Sequence, residues 1–192
     1  YSPMAIAVTG SCGKTTTRQL LQSIFSVAGE THASCKSFNN HIGVPQTLLQ
    51  LTADYEYYIQ ELGANHPGEI APLAHAVRPH IAIITLAAQA HLDGFGDLIG
   101  VAAAKGEILA GLADDGIAVL NRDDDFFSYW LGLLHGHASV TFSKKSDKRA
   151  DIYASDVSLD DLGRPHFILC TPLDEVFIKL QLIGEHNTIN AL

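Results

Sequence analysis

Between Gly10 and Thr15 the chain reads Gly-Ser-Cys-Gly-Lys-Thr, placing a lysine and a hydroxyl directly after a glycine-rich turn. That order of residue types suits a nucleoside triphosphate. Glycines let backbone N–H groups approach phosphate oxygens, and a helix starting at the turn adds the positive end of its dipole. Lys14 would then reach the β- and γ-phosphates, and the Thr15 hydroxyl would sit on Mg2+. The expected contacts to ATP are Thr9, Gly10, Ser11, Cys12, Gly13, Lys14, Thr15 and Thr16. The bland alternative is a glycine turn with an exposed lysine, but G-x-x-G-K-[ST] should arise by chance in well under ~1 in 50 chains of this length. The longer phosphate-loop pattern has glycine at a position where this chain carries Val8. Ordinary GTPase and kinase readings lose weight for that reason.

A loop of this kind needs a strand before it and a helix after it, and both are legible. Residues 5–10 read as a short buried strand, and Leu20, Leu21, Ile24, Phe25 and Val27 recur at helical spacing from Lys14 to about Ala28, with Gly29 as the stop. The alternation continues with strands at 55–60, 81–86 and 117–120 and helices at 68–77, 98–112 and near 124–134. Strands alternating with helices predict a three-layer α/β phosphate-loop domain with a mostly parallel sheet. From 151 to 183 the pattern becomes three β-rich segments, 151–159, 166–171 and 175–182, separated by turn residues, which predicts a small antiparallel extension. The last nine residues read as a helix starting just as the sequence stops, as expected of a fragment of a longer chain.

Within this frame a few side chains could do further chemistry. Glu61 falls at a strand end, where an open parallel sheet presents its ligand crevice, and a carboxylate there suits Mg2+. It reads equally as a solvated glutamate. Lys105, among alanines in a predicted helix, reads by itself as an ordinary surface lysine. His91 alone reads as a polar or capping histidine, and Asn39, Asn40 and His41 as turn residues. Asn187 and Asn190 lie one helical turn apart on one face, although His186-Asn187 could be only a cap. The run 121–124 reads as nucleotide-lining or helix-capping.

Composition removes whole classes of function. The chain has 192 residues, 47% hydrophobic and 17% charged, which describes a folded domain. With 12 Lys+Arg against 21 Asp+Glu and a net charge of −9, it offers no basic stripe for nucleic acid. Cys12, Cys35 and Cys170 show no pairing logic, so reduced thiols are expected. No apolar run approaches the ~20 residues of a membrane span. No signal peptide is read before the first strand, and a cytoplasmic monomer is expected.

Taken together, Thr9–Thr17 resembles the phosphate loop of the Mur ligase family, which builds the peptide of bacterial peptidoglycan. Further stretches agree in order: Ser37-Phe38-Asn39-Asn40-His41-Ile42-Gly43-Val44-Pro45, Glu61-Leu62-Gly63-Ala64-Asn65-His66-Pro67-Gly68-Glu69-Ile70, Ala90-His91-Leu92-Asp93-Gly94-Phe95-Gly96 and Ala103-Ala104-Lys105-Gly106-Glu107-Ile108. The ending, Gly184-Glu185-His186-Asn187 with Asn190-Ala191, also fits. The resemblance covers essentially the whole chain and corresponds to the family's central domain, without the flanking UDP-binding and C-terminal domains.

The resemblance implies an ATP-dependent amide ligase working through an acyl phosphate. It implies Glu61 as a Mg2+ ligand beside Thr15, and His91 and Lys105 as ligands of a second metal, Lys105 through a carbamate formed with CO2. It makes Lys14, Lys105 and His91 the catalytic set. It also places Asn187, with Asn190, at the nucleotide and Asn39, Asn40 and His41 at the muramoyl-peptide substrate. Within the family, the Phe-Asn-Asn and Gly-Ala-Asn-His-Pro-Gly-Glu stretches imply UDP-N-acetylmuramoyl-tripeptide and D-alanyl-D-alanine as the substrates. The alternatives are a Mur-type ligase adding a single amino acid and a phosphotransferase without ligase activity.

Overall fold

The computed structural model describes residues 2–35, 38–89 and 92–192, with the side chains of Leu92 and Asp93 outside the description. Strand β1 (Met4–Thr9) runs into the phosphate loop, and helix α1 (Lys14–Ala28) leaves it. Helix α1 ends where Gly29 N–H still reaches Phe25 O. The chain then forms β2 (Thr31–Ala33), α2 (Gly43–Leu48), β3 (Tyr57–Glu61), α3 (Ile70–Val77) and β4 (Ile81–Ile84). After a short α4 (Leu92–Phe95) come α5 (Leu98–Gly106) and a 3-10 turn, Glu107–Gly111. The remaining elements are β5 (Ile117–Asn121), α6 (Phe127–Gly132), β6 (Ala138–Ser143), β7 (Ile152–Leu159), β8 (Pro165–Cys170), β9 (Glu175–Lys179) and α7 (Asn187–Ala191).

Among the described residues nine strands join one sheet in the order β2-β3-β1-β4-β5-β6-β7-β8-β9. From β2 to β7 neighbouring strands pair parallel, and β8 and β9 complete the sheet antiparallel. The β-rich extension is thus continuous with the main sheet, joined where Phe142 pairs with Ile152 and Ser143 with Tyr153. Alternation within β1 shows why the sheet is covered on both faces. Ala5 and Ala7 enter one core with Tyr58, Leu73, Ala82, Ile108, Leu120 and Trp130. Ile6 and Val8 point the other way, packing with Ile59 and Ile83 under Leu21 and Phe25 of α1. Side chains from strands buried on both faces lose most of their contact with water, and this burial is the main force holding the layers together.

The order of the strands positions the site. The chain goes from β1 outward to β2 and β3 on one side, then crosses to β4 on the other. The carboxyl end of β1 is therefore a topological switch point, where an open α/β sheet leaves a crevice. Thr9, Glu61, Ile84 and Asn121 end the four central strands there.

Candidate functional site

Two glycines make the phosphate loop possible. Gly10 has φ +147 and Gly13 φ +85, a region that side-chain-bearing residues rarely adopt. At Gly10 a Cβ would collide with Thr85 Oγ1, and at Gly13 with Asn190 Oδ1. The first contact packs the loop against the segment after β4, and the second packs it against α7. Lys14 follows directly; its Nζ lies over the loop, donating to Gly10 O at 2.7 Å and Ser11 O at 3.4 Å.

Thr15 and Glu61 meet. Thr15 Oγ1 donates to Glu61 Oε2 at 2.8 Å, and Asn39 Nδ2 donates to the other carboxylate oxygen at 2.7 Å. Glu61 is 2% exposed, so the reading of a solvated strand-end glutamate is corrected. Among the described residues this buried carboxylate is held by two polar side chains and pairs with no cationic one, an unusual arrangement in a protein interior. Among the described residues, no three His, Cys, Asp or Glu side chains cluster to hold a metal by themselves. The Thr15–Glu61 pair nonetheless fits Mg2+, which takes one or two protein oxygens and completes its octahedron with phosphate oxygens and water.

Lys105 is 3% exposed, which overturns its reading as an ordinary surface lysine. Val-Ala-Ala-Ala at 101–104 makes α5 apolar nearly all round, so its buried face includes the lysine. Nζ sits 5.3 Å from the centre of the Phe95 ring. Burial first, and the charge of Lys14 second, lower its pKa from the ordinary 10.5 to about 8, while Glu107 and Glu69 pull the other way. Lys14 and Lys105 line one cavity of about 210 Å3, closed on its other sides by the 39–41 and 63–65 turns and Glu69. A second hollow opens over Ser11–Thr16, Asn39 and Glu61.

The remaining expected residues divide. Asn40 Oδ1 accepts from Ile42 and Gly43 N–H, which is turn chemistry that starts α2, while His41 is exposed at the cavity. Asn187 Nδ2 donates to Ile183 O and its Oδ1 accepts from Asn190 Nδ2, so the two asparagines support each other beside Gly13. His91 lies outside the described residues.

Several further contributors are singled out only by the structure. Ser34 Oγ accepts from Glu61 N–H at 3.3 Å. Glu69 turns back to accept from Asn65 N–H and pairs with His66, two bonds that hold its carboxyl below the usual range. Glu107 accepts from the N–H groups of Gly68, Ile70 and Ala71 at 2.6, 2.9 and 3.1 Å. It thereby caps α3 and ties the 65–69 turn to the lysine helix, satisfying N–H groups that a helix start leaves open. Glu107→Ala should lower unfolding free energy by about 1–3 kcal/mol, read by urea denaturation. A loss under about 0.5 kcal/mol would mean that water replaces the carboxylate.

Comparison with known proteins agrees with this fold. The family model described as the Mur ligase middle domain matches residues 8–192. The UDP-N-acetylmuramoyl-tripeptide–D-alanyl-D-alanine ligase of Escherichia coli K12 is 42% identical over 187 residues, 97% of this chain and 41% of that protein. The ligase of the same name from Mycobacterium tuberculosis H37Rv is 36% identical, over 97% of this chain and 36% of its own length. A crystal structure of MurF from Acinetobacter baumannii superposes with a TM-score of 0.92 at 37% identity, over 97% of this chain and 40% of that one. The chain thus spans about two fifths of the length of the relatives it matches. With the family model covering nearly all of its length, the chain belongs to the Mur ligase family, as a middle domain.

Proposed function

We propose that the protein containing this chain is an ATP-dependent ligase joining D-alanyl-D-alanine to UDP-N-acetylmuramoyl-tripeptide, a step in building peptidoglycan. The observation that carries the reading is the single cavity in which Lys14 of the phosphate loop and buried Lys105 face the 39–41 turn. That arrangement brings two lysine side chains, one on the phosphate loop and one buried, to the place where a phosphoryl group and an acceptor carboxylate would meet. The names borne by the similar proteins support the choice of substrates.

In this reading the tripeptide carboxylate attacks the γ-phosphorus of ATP and ADP leaves. The amine of D-alanyl-D-alanine, having lost a proton, then attacks the acyl carbon and phosphate departs. The gain comes mainly from placement and charge neutralisation, since the bonds change within the substrates. Backbone N–H groups from Gly10 to Thr15 and Lys14 would hold the phosphates. Thr15 and Glu61 would hold Mg2+, which supplies charge to the phosphate oxygens. Asn39 fixes the Glu61 carboxylate from the opposite side. Asn40 and His41 are assigned to the muramoyl-peptide side of the cavity, and Asn187 and Asn190 to the nucleotide side. Lys105 is assigned the carbamate role with His91 at a second metal; a buried amine with few proton-holding partners suits capture of CO2.

No helix among the described residues is long and apolar enough to cross a membrane. We place the protein in the cytoplasm, where ATP and nucleotide-linked precursors are made, and as a monomer.

The test is amine selectivity. Phosphate release from ATP and Mg2+ is measured with the flanking segments present, using UDP-N-acetylmuramoyl-tripeptide and either D-alanyl-D-alanine or single amino acids. Release should require both substrates and favour the dipeptide by about 100-fold or more. Release that favours a single amino acid would move the protein to another ligase of the family. Release without any amine would make it a different phosphotransferase.

A further inference from the structure

The phosphate loop is braced from outside as well as by the bonds of Lys14 to its own carbonyls. Ser11 N–H donates to Leu86 O at 2.9 Å. Ser11 Oγ accepts from Ala88 N–H at 3.0 Å and donates to Ala88 O at 3.1 Å. Thr85 Oγ1 donates to Cys12 O at 2.6 Å, and its methyl-bearing side chain fills the space that Gly10 leaves open. Residues 85–88 therefore lie as a strap across the loop, bonded to it at Ser11 and Cys12.

The strap itself lies past the end of β4 at Ile84, so no sheet ladder fixes residues 86–88. Two side chains from the end of β5 hold it. Asn121, 4% exposed, donates from Nδ2 to Thr85 O at 2.8 Å. Asp124 accepts from Ala87 N–H through Oδ2 at 2.8 Å, while its Oδ1 accepts from Phe126 N–H at 2.9 Å at the start of α6. Each carboxylate oxygen thus has a separate task, one local and one reaching 37 residues back along the chain. The neighbouring Asp123 is turned away, accepting from Ser143 Oγ and Lys144 N–H.

We propose that Asp124 is a positioning residue for the nucleotide phosphates. It touches no substrate and acts through Ala87, the strap and the Ser11 and Thr85 contacts to place the Gly10–Cys12 backbone. The proposal rests on the reading of that loop as the ATP site and adds to it a residue that sets the loop from outside. A bond from Asp124 to a strap amide, lost, leaves the strap free to shift by tenths of an ångström. Hydrogen bonding to phosphate is steep enough in distance and angle for such a shift to weaken nucleotide binding.

The test separates this role from helix capping. In the full-length protein, Asp124→Ala should raise KM for ATP by about tenfold, with KM for the two other substrates and kcat changed less than about twofold. In a Ser11→Ala background, where the loop is already cut from Ala88, the same substitution should change KM for ATP by less than about threefold, because residues acting through one contact are not additive. An unchanged KM for ATP in Asp124→Ala, or a full tenfold effect in both backgrounds, would overturn the proposal. If loss of the α6 cap unfolds Asp124→Ala, Thr85→Val keeps the shape of the strap while removing its hydroxyl. That variant should also raise KM for ATP, and a wild-type KM would overturn the proposal as well. Lys14→Ala runs alongside: full activity there would bring down the nucleotide reading and this proposal with it, whereas loss of activity there beside an indifferent Asp124→Ala sinks this proposal alone.

Discussion

Phosphate release should fall by roughly a thousandfold when Lys14 is replaced by alanine, while the thermal midpoint moves by no more than about 2 °C. The two halves of that expectation have different physical sources. The side chain is only half-buried and its amine rests on the loop carbonyls of Gly10 and Ser11, so its removal opens no cavity in either core. Helix α1 is held by Leu21 and Phe25 against the sheet, and Lys14 is not among those contacts. What is lost is a positive charge placed where the γ-phosphoryl group would gather charge during transfer, in a crevice that lowers the effective dielectric. Lys14→Arg should restore little, because a planar fork of five donors is a different shape from an ammonium on a flexible stem. Rates near wild type for Lys14→Ala would mean that the phosphates lie elsewhere.

Lys105→Met should produce an enzyme that is more stable and inactive. The buried amine has its pKa lowered to about 8 from 10.5, mainly by burial. Between those two values the unfolded chain binds more protons at this position than the folded one, so this group makes stability rise with pH through that window. Below pH 8 both states carry the proton, and the penalty for burying the charge is fully present. A shift of this size corresponds to at most about 3–4 kcal/mol. In CO2-free buffer without nucleotide or Mg2+, Lys105→Met should therefore gain about 1–3 kcal/mol at pH 7, and the gain should shrink toward zero as pH approaches 10.5. Catalysis should drop by roughly 100-fold or more, since methionine supplies neither a charge nor an amine to modify. Urea denaturation at pH 7 and pH 10 reads the first effect, and phosphate release reads the second. A methionine variant less stable than wild type at pH 7 would show that Glu69 and Glu107 over-compensate the burial of the charge.

The loop and its helix were legible because everything that defines them is local. Val8, Gly10, Gly13, Lys14 and the apolar stripe of α1 lie within one stretch, and the structure begins α1 at Lys14 and ends it at Ala28. Strand β2 was not legible, since three half-buried residues carry no periodicity. Helix α2 was hidden by Gly43 and Pro45, which discourage a helical reading; the turn before it is held by Asn40 Oδ1, which accepts from Gly43 N–H. Strand β6 sits in a half-exposed stretch after His-Gly-His that offers only short alternation. For the site, the residue types were readable and their partners were not. Glu61 could be placed at a strand end, but Thr15 and Asn39 reach it from 46 and 22 residues away. Lys105 was hidden by an alanine-rich helix in which periodicity does not reveal the buried face. The strap at 85–88 left no trace, because it depends on Asn121 and Asp124 reaching from the end of β5 to the segment after its neighbour β4.

Everything proposed for this site requires the tripeptide carboxylate to attack the γ-phosphoryl group held by this loop. The most direct test is to label both oxygens of that carboxylate with 18O and examine the phosphate released in a single turnover with ATP and D-alanyl-D-alanine. Direct attack predicts one labelled oxygen in each phosphate formed, with the label lost in Lys14→Ala along with the reaction. Phosphate carrying no label would show that water, or a group on the protein, takes the phosphoryl group first, and the ligase mechanism drawn from this site would be wrong.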